Sequence, residues 1–278
     1  MLTQRLIVAA VGLPLLGLLL LVPEPVFSAA IEAVLAVATF ELVRSAQPEE
    51  QRSDLTIAVS AAAATALLVA LSRSEVGPAI WALMPLTAIA IALLIRGSNP
   101  FSDSMAGWWI SAVLYVGVLG AHFVLLRDVG EGQRWLVVLL ATVFATDTGA
   151  YAVGRTFGRH KMAPNVSPKK TWEGAAGGYV FGAAAAVISI LALDPAPPLD
   201  ALGETVVGAY GTATILAIAL GTPIVAEIGD LVESALKRRL GVKDVSNILP
   251  GHGGFLDRLD SLLFAAPWIY WILQWTPS

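Results

Sequence analysis

Residues 207–239 read VGAYGTATILAIALGTPIVAEIGDLVESALKRR, and this stretch decides the fold class. A helix that crosses the hydrocarbon of a bilayer needs about 20 mainly apolar residues at about 1.5 Å rise each. The stretch supplies them, with an interruption at Gly221, Thr222 and Pro223, where proline removes a backbone donor and is expected to bend the helix. It then gains Glu227, Asp230, Glu233 and Lys237. Charges at that depth are costly unless they face a partner or a water-filled cavity. The reading is a spanning helix over 207–236 whose final turns line something polar.

Moving outward with the same window, candidate spans fall at about 5–22, 27–44, 55–72, 78–95, 107–126, 134–154, 174–194 and 261–276, which with 207–236 makes about nine. Composition agrees. Hydrophobic residues make up 56% of the 278 and charged ones 14%, against about 25% in a typical soluble domain. Mean hydropathy is +0.74. A water-soluble fold could not hide so much apolar surface, so the bilayer is the expected solvent. The expected fold is all-α, a polytopic integral membrane protein with about nine transmembrane helices. Residues 1–278 form a single membrane domain, with N-terminal helices over about 1–140 and the helices and loops that carry chemistry over about 141–278. No internal repeat stands out. Arg5 followed by the apolar run 6–22 fits either a secretory signal peptide or a first helix, and the length of the run favours a retained helix. The chain has no cysteine, which excludes disulfides, thiolate nucleophiles and thiolate zinc sites.

Lysine and arginine set the orientation. With the N-terminus inside, only Arg73, Arg127 and Arg134 of the 17 basic residues fall outside. The two long connections, about 155–173 and 237–260, then both face the cytoplasm, where nucleotide is available. The net charge of −4 adds little, because the charges are so unevenly placed.

Chemistry concentrates in three places. The first is the segment from Ser234 to Asp260, SALKRRLGVKDVSNILPGHGGFLDRLD. Glu227, Asp230, Ser234 and Lys237 recur at helical spacing on one face, and Asp257 and Asp260 lie three apart at the start of the last helix. Pro250, Gly251, Gly253 and Gly254 surround His252, and such glycines let backbone N–H groups approach an anion. Triphosphate calls for concentrated cations, and hard oxygen ligands hold Mg²⁺ against phosphate. Carboxylates on two elements can clamp an in-line displacement with two cations. A basic cluster serving topology alone would explain Lys237, Arg238 and Arg239 but not the aspartates, histidine and glycines beside them. The second place is 165–174, NVSPKKTWEG, where Lys169 and Lys170 offer charge to phosphate and Ser167 and Thr171 offer hydroxyls. Glu173 is either a helix-start acid or part of the site. The third is Asp147 in ATDTGAYAVGR, inside a span, which marks a polar cavity or a packing device built with Thr146, Thr148 and Gly149. Glu32 and Glu41 have no motif around them, and His122 reads as a packed residue. Trp108, Trp109, Trp268, Trp271 and Trp275 read as an interfacial belt.

The run from Ser234 to Asp260 resembles the C-terminal signature of the phosphatidate cytidylyltransferases. The matching positions are Ser234, Lys237-Arg238, Lys243-Asp244, Pro250, His252-Gly253-Gly254, Asp257-Arg258 and Asp260. The segments DTGAYAVGR, SPKKTWEG and GDLVES are similar to further family motifs, so the resemblance covers at least 147–261. It implies transfer of the cytidylyl group of CTP to phosphatidate, dependence on Mg²⁺, a cytoplasm-facing cavity open to lipid in the cell (inner or plasma) membrane, and a homodimer. It also implies that Asp230 and Asp257 hold the metal centre. On that footing Asp244 and Asp260 support the metal, and Lys237, Arg238, Lys243, Arg258, Lys169 and Lys170 hold phosphates. Ser234, Ser167, Thr171 and His252 orient the substrates, with Gly253, Gly254 and Asp147 at the binding cavity. Expected partners are CTP, phosphatidate and the bilayer, and no nucleic acid. A CTP-using polyprenol or phytol kinase and an ion-coupled transporter are the rival readings.

Overall fold

A computed structural model describes residues 2–74, 82–193, 210–249, 251 and 253–275. Its helices in chain order are α1 (Leu2–Leu21), α2 (Glu24–Ala46), α3 (Thr56–Leu71), α4 (Met84–Arg96), α5 (Met105–Asp128), α6 (Gly132–Phe157), α7 (Trp172–Ala192), α8 (Thr212–Arg239) and α9 (Leu256–Trp275). Among the described residues α2, α5, α6, α7 and α8 are long and apolar enough to cross a membrane. The protein is therefore a mostly helical membrane protein. Large apolar side chains such as Leu18, Leu67, Ile89, Val180, Ile188 and Ile224 stand exposed on its flanks, as a lipid-facing surface requires.

Two departures from the sequence reading have clear causes. The connection between α6 and α7 is an antiparallel hairpin, β1 (Lys161–Ala163) with β2 (Ser167–Thr171), pairing Lys161 with Thr171 and Ala163 with Ser167. Periodicity over three to five residues is too short to have signalled it. And α8 runs unbroken through Pro223. The carbonyls of the preceding turn are served from the side: Thr222 Oγ1 donates to Ile218 O (2.6 Å) and Trp268 Nε1 donates to Ala217 O (3.2 Å). Pro223 itself frees Ala219 O, one residue further on, and these bonds hold the turn beside it. Gly221 makes the second bond possible, because a Cβ there would lie 2.4 Å from the Trp268 ring. Trp268 is thus a packing residue, and Trp108 is buried as well, whereas Trp275 is 75% exposed as a belt residue would be. His122 keeps its packed role, with Nδ1 on Val118 O at 2.8 Å and its ring edge-on to Tyr270.

Helices α6 and α7 pack closely through small residues. A Cβ at Gly149 would come 2.6 Å from Phe181 Cβ and 2.8 Å from Gly177 O, and one at Gly177 would come 2.5 Å from Val153. Small residues at such a seam replace a hydrophobic driving force that lipid does not supply. Gly149→Val should push the pair apart and cost about 1–3 kcal/mol, visible as a lower thermal unfolding midpoint in detergent. An unchanged midpoint would contradict the tight seam.

The bundle has two chemically different ends. At one, Arg73 bridges Glu24 (2.6 Å) and Asp128 (3.4 Å), and Arg127 donates to Val22 O while its guanidinium lies over Phe27. At the other, the two long connections meet: Arg238 Nε donates to Val166 O at 3.0 Å, and Arg239 pairs with Asp103 at 2.5 Å.

Candidate active site

The site lies where α8, α9 and the hairpin converge at that second end. Helical spacing puts Asp230, Glu233, Ser234 and Lys237 on one face of α8, pointing at the start of α9. Gly229 lets the two helices approach, since a Cβ there would meet Asp260 O at 2.7 Å. Asp230, Glu233 and Asp260 each present a carboxylate oxygen within 4.8 Å of the others. Glu233 is fully buried and its Oε1 has no hydrogen-bond partner.

Two lysines hold this acidic group together. Lys170, from β2, reaches Asp230 Oδ2 at 2.6 Å. Lys237 sits between Glu233 Oε2 (2.6 Å) and Asp257 Oδ1 (2.8 Å), all three largely shielded from solvent. Ser234 Oγ donates to Asp230 Oδ1 at 3.3 Å. Asp257 also binds its own loop: Oδ2 accepts from Val245 N (3.1 Å) and Gly254 N (2.7 Å). A buried carboxylate is stable only with this degree of pairing.

The glycine pair acquires a specific reason. Gly253 has φ +83°, and a Cβ on it would stand 2.7 Å from Asp257 Oδ2. A Cβ on Gly254 would stand 2.6 Å from Glu41 Oε2. The anions these glycines admit are the protein's own carboxylates, where the sequence reading had placed substrate. Glu41, buried in α2, was passed over as a residue without a motif. Its Oε1 accepts from Ser246 Oγ at 2.5 Å and its Oε2 from Leu256 N at 3.1 Å.

Other sequence-selected residues fall as follows. Thr171 is not a free hydroxyl for substrate: it is buried and caps α7, its Oγ1 accepting from Gly174 N at 3.1 Å. Glu173 takes the helix-start role and closes the hairpin, accepting from Arg159 N, His160 N and His160 Nδ1. Ser167 begins β2, and Lys169 is exposed on it. Arg238 bonds Val166 O and Val242 O, tying hairpin to loop. Lys243, Asp244 and Arg258 are exposed at the same end. Asp147 is exposed on α6 and lies in the electrostatic field of Asp230, Lys170 and Arg258. Thr146 and Thr148 bond to backbone carbonyls of their own helix, as a packing device would. His252 and Pro250 lie outside the described residues.

Among the described residues, one group of three carboxylates fits a divalent cation. Asp230, Glu233 and Asp260 converge hard oxygens, and Glu233 has an unmatched one among them. Asp257 is grouped differently, with Oδ1 on Lys237 and Oδ2 on two backbone amides. Glu233 stood among the charges of this helix in sequence, but the face drawn there ran through Glu227, Asp230, Ser234 and Lys237 and left it out.

The sequence matches the Cytidylyltransferase family over residues 3–276. It is similar to the phosphatidate cytidylyltransferase of Bacillus subtilis, 37% identical over 196 residues that cover 68% of each chain. It is similar to that of Staphylococcus haemolyticus, 34% identical over 66% of this chain and 65% of the relative. The enzyme of Mycobacterium bovis is 44% identical over 50% of this chain and 42% of its own length. With the match running nearly end to end and embracing every element of the site, this chain belongs to the cytidylyltransferase family.

Proposed function

We propose that the protein is a phosphatidate cytidylyltransferase, which converts CTP and phosphatidate to CDP-diacylglycerol and pyrophosphate for phospholipid synthesis. The observation that carries this reading is the convergence of Lys170, Lys237 and the Asp230–Glu233–Asp260 group at one end of an apolar bundle. A phosphate oxygen of phosphatidate forms a bond to the α-phosphorus of CTP, and the bond from that phosphorus to the bridging oxygen breaks as pyrophosphate leaves. The attacking phosphate is already ionised, so no strong base is required, and the protein contributes position and charge. Lys170 and Lys237 are held where they can meet phosphate, with Lys169, Arg238, Lys243 and Arg258 available at the same end. Ser234, Ser167 and His252 are assigned hydrogen bonds that orient the substrates.

We assign Mg²⁺ to Asp230, Glu233 and Asp260, the group whose donors fit it. Bound there, it would neutralise triphosphate charge and polarise phosphoryl oxygens. The resemblance to the family supports Asp257 as a further metal-holding carboxylate, beside the Lys237 that pairs with it here. The positive-inside count supports about nine spans with the site facing the cytoplasm. Resemblance to the family supports a homodimer in the cell membrane.

The deciding experiment supplies purified protein with phosphatidate and labelled CTP. CDP-diacylglycerol and pyrophosphate should appear, vanish with a chelator and return with Mg²⁺. Release of CDP with a phosphorylated lipid would show a kinase instead. Solute transport in liposomes without CTP would show a transporter.

A further inference from the structure

We infer that Glu41, on α2, is a positioning residue for the reaction: it fastens, from the opposite side, the loop that Asp257 also grips. The inference rests on the function proposed above. The loop between α8 and α9 is gripped by two carboxylates from opposite sides. Asp257 takes the amides of Val245 and Gly254. Glu41 takes the hydroxyl of Ser246 and the amide of Leu256, the residues that follow Val245 and Gly254 by one and two places. One turn further along α2, Ser45 Oγ donates to Val245 O at 2.6 Å. The backbone of Val245 is therefore held on both sides, by Ser45 through its carbonyl and by Asp257 through its amide. Between the grips the loop closes on itself, with Leu249 N donating to Gly253 O at 2.9 Å.

The electrostatics favour this use of a buried acid. Leu256 is the first residue of α9, where unpaired amides and the helix dipole attract negative charge. In most helices a residue just upstream supplies the cap, but here a carboxylate arrives from a helix more than 200 residues earlier in the chain. The absence of a Cβ at Gly254 leaves the space that Glu41 Oε2 occupies. A glutamine could still accept from the Leu256 amide and donate to the Ser246 hydroxyl, which also accepts, whereas an alanine leaves both loop groups without their partner. The loop would then loosen at Ser246 and Leu256, and the orientation of Asp257, and through it of Lys237, would relax. Displacement of catalytic groups by about 1 Å can cost about 100-fold in rate.

The test compares wild type, Glu41→Ala and Ser45→Ala in the CTP–phosphatidate assay, with thermal unfolding and peptide-level hydrogen exchange on the same samples. Glu41→Ala should lower kcat by about 10- to 100-fold and speed exchange in peptides spanning 245–256, while the 161–171 hairpin keeps its wild-type protection. Ser45→Ala should shift both readouts the same way by a smaller factor. A kcat within twofold of wild type would overturn the inference. So would a loss accompanied by faster exchange throughout the bundle, because Glu41 would then be a stability residue. If wild type itself makes no CDP-lipid, the proposed function fails, while the exchange pattern still reports whether Glu41 holds the loop.

Discussion

Asp257→Asn should reduce turnover by about 100-fold or more, the scale seen when one preorganised charged or donor group is removed from an active site. Three bonds converge on this carboxylate: the Lys237 ammonium at 2.8 Å, Gly254 N at 2.7 Å and Val245 N at 3.1 Å. Every one is a donor. An asparagine of the same size can satisfy donors only with its oxygen, and its amide nitrogen must face either the ammonium or the two backbone amides. Either orientation breaks at least one charge-assisted bond and brings two donors together. In one orientation Lys237 keeps only Glu233 as partner, and in the other the loop loses one of its two anchors. The check is kcat for CDP-diacylglycerol formation on protein that elutes as wild type does in detergent. Turnover within a few-fold of wild type would remove Asp257 from the site.

The second large effect concerns stability. Lys237→Met keeps length and apolar bulk but deletes the positive charge between Glu233 and Asp257, whose side chains are 1% and 2% exposed. Taking one member from a buried ion pair leaves an uncompensated charge, at a cost of about 3–5 kcal/mol. Two carboxylates are left here, and Asp260 and Asp230 stand close to Glu233 already. The thermal midpoint in detergent should fall by several degrees, and activity should fall with it. Lys237→Arg should not fully restore either property, because a planar fork cannot replace a compact ammonium between two carboxylates. A Lys237→Met protein as stable as wild type would show that Glu233 and Asp257 are not held by this charge.

The carboxylate group and its lysines also indicate which parts of the site sequence can reveal. Asp230, Ser234 and Lys237 were visible because a helix repeats every 3.6 residues, so spacing alone put them on one face. Lys170 was visible as half of a basic pair in a polar loop. Glu41 was not, because a single acid in an apolar helix carries no local pattern, and its partners, Ser246 and Leu256, are far along the chain. Thr171 takes a helix-capping role that sequence did not show, for a related reason. A hydroxyl beside two lysines looks like a phosphate ligand until the next helix begins at Trp172 and uses it as a cap. Pro223 pointed to a break, and the helix runs through it, with the indole of Trp268 and the hydroxyl of Thr222 bonded to carbonyls of the preceding turn.

Sequence by itself determined what depends on composition and period: a helical membrane protein, its long apolar segments, and the gathering of charge into two connections. These follow from the cost of exposing backbone to lipid and from the fixed rise of a helix, neither of which needs a partner. Tertiary structure alone decided how the charges pair. It joined Lys170 to Asp230, gave Lys237 to Glu233 and Asp257 together, and grouped Asp230 with Glu233 and Asp260. It also brought Glu41 to the start of α9. The physical reason is that a buried carboxylate takes its identity from whichever donors packing brings within about 3 Å, and packing joins residues that sequence holds far apart.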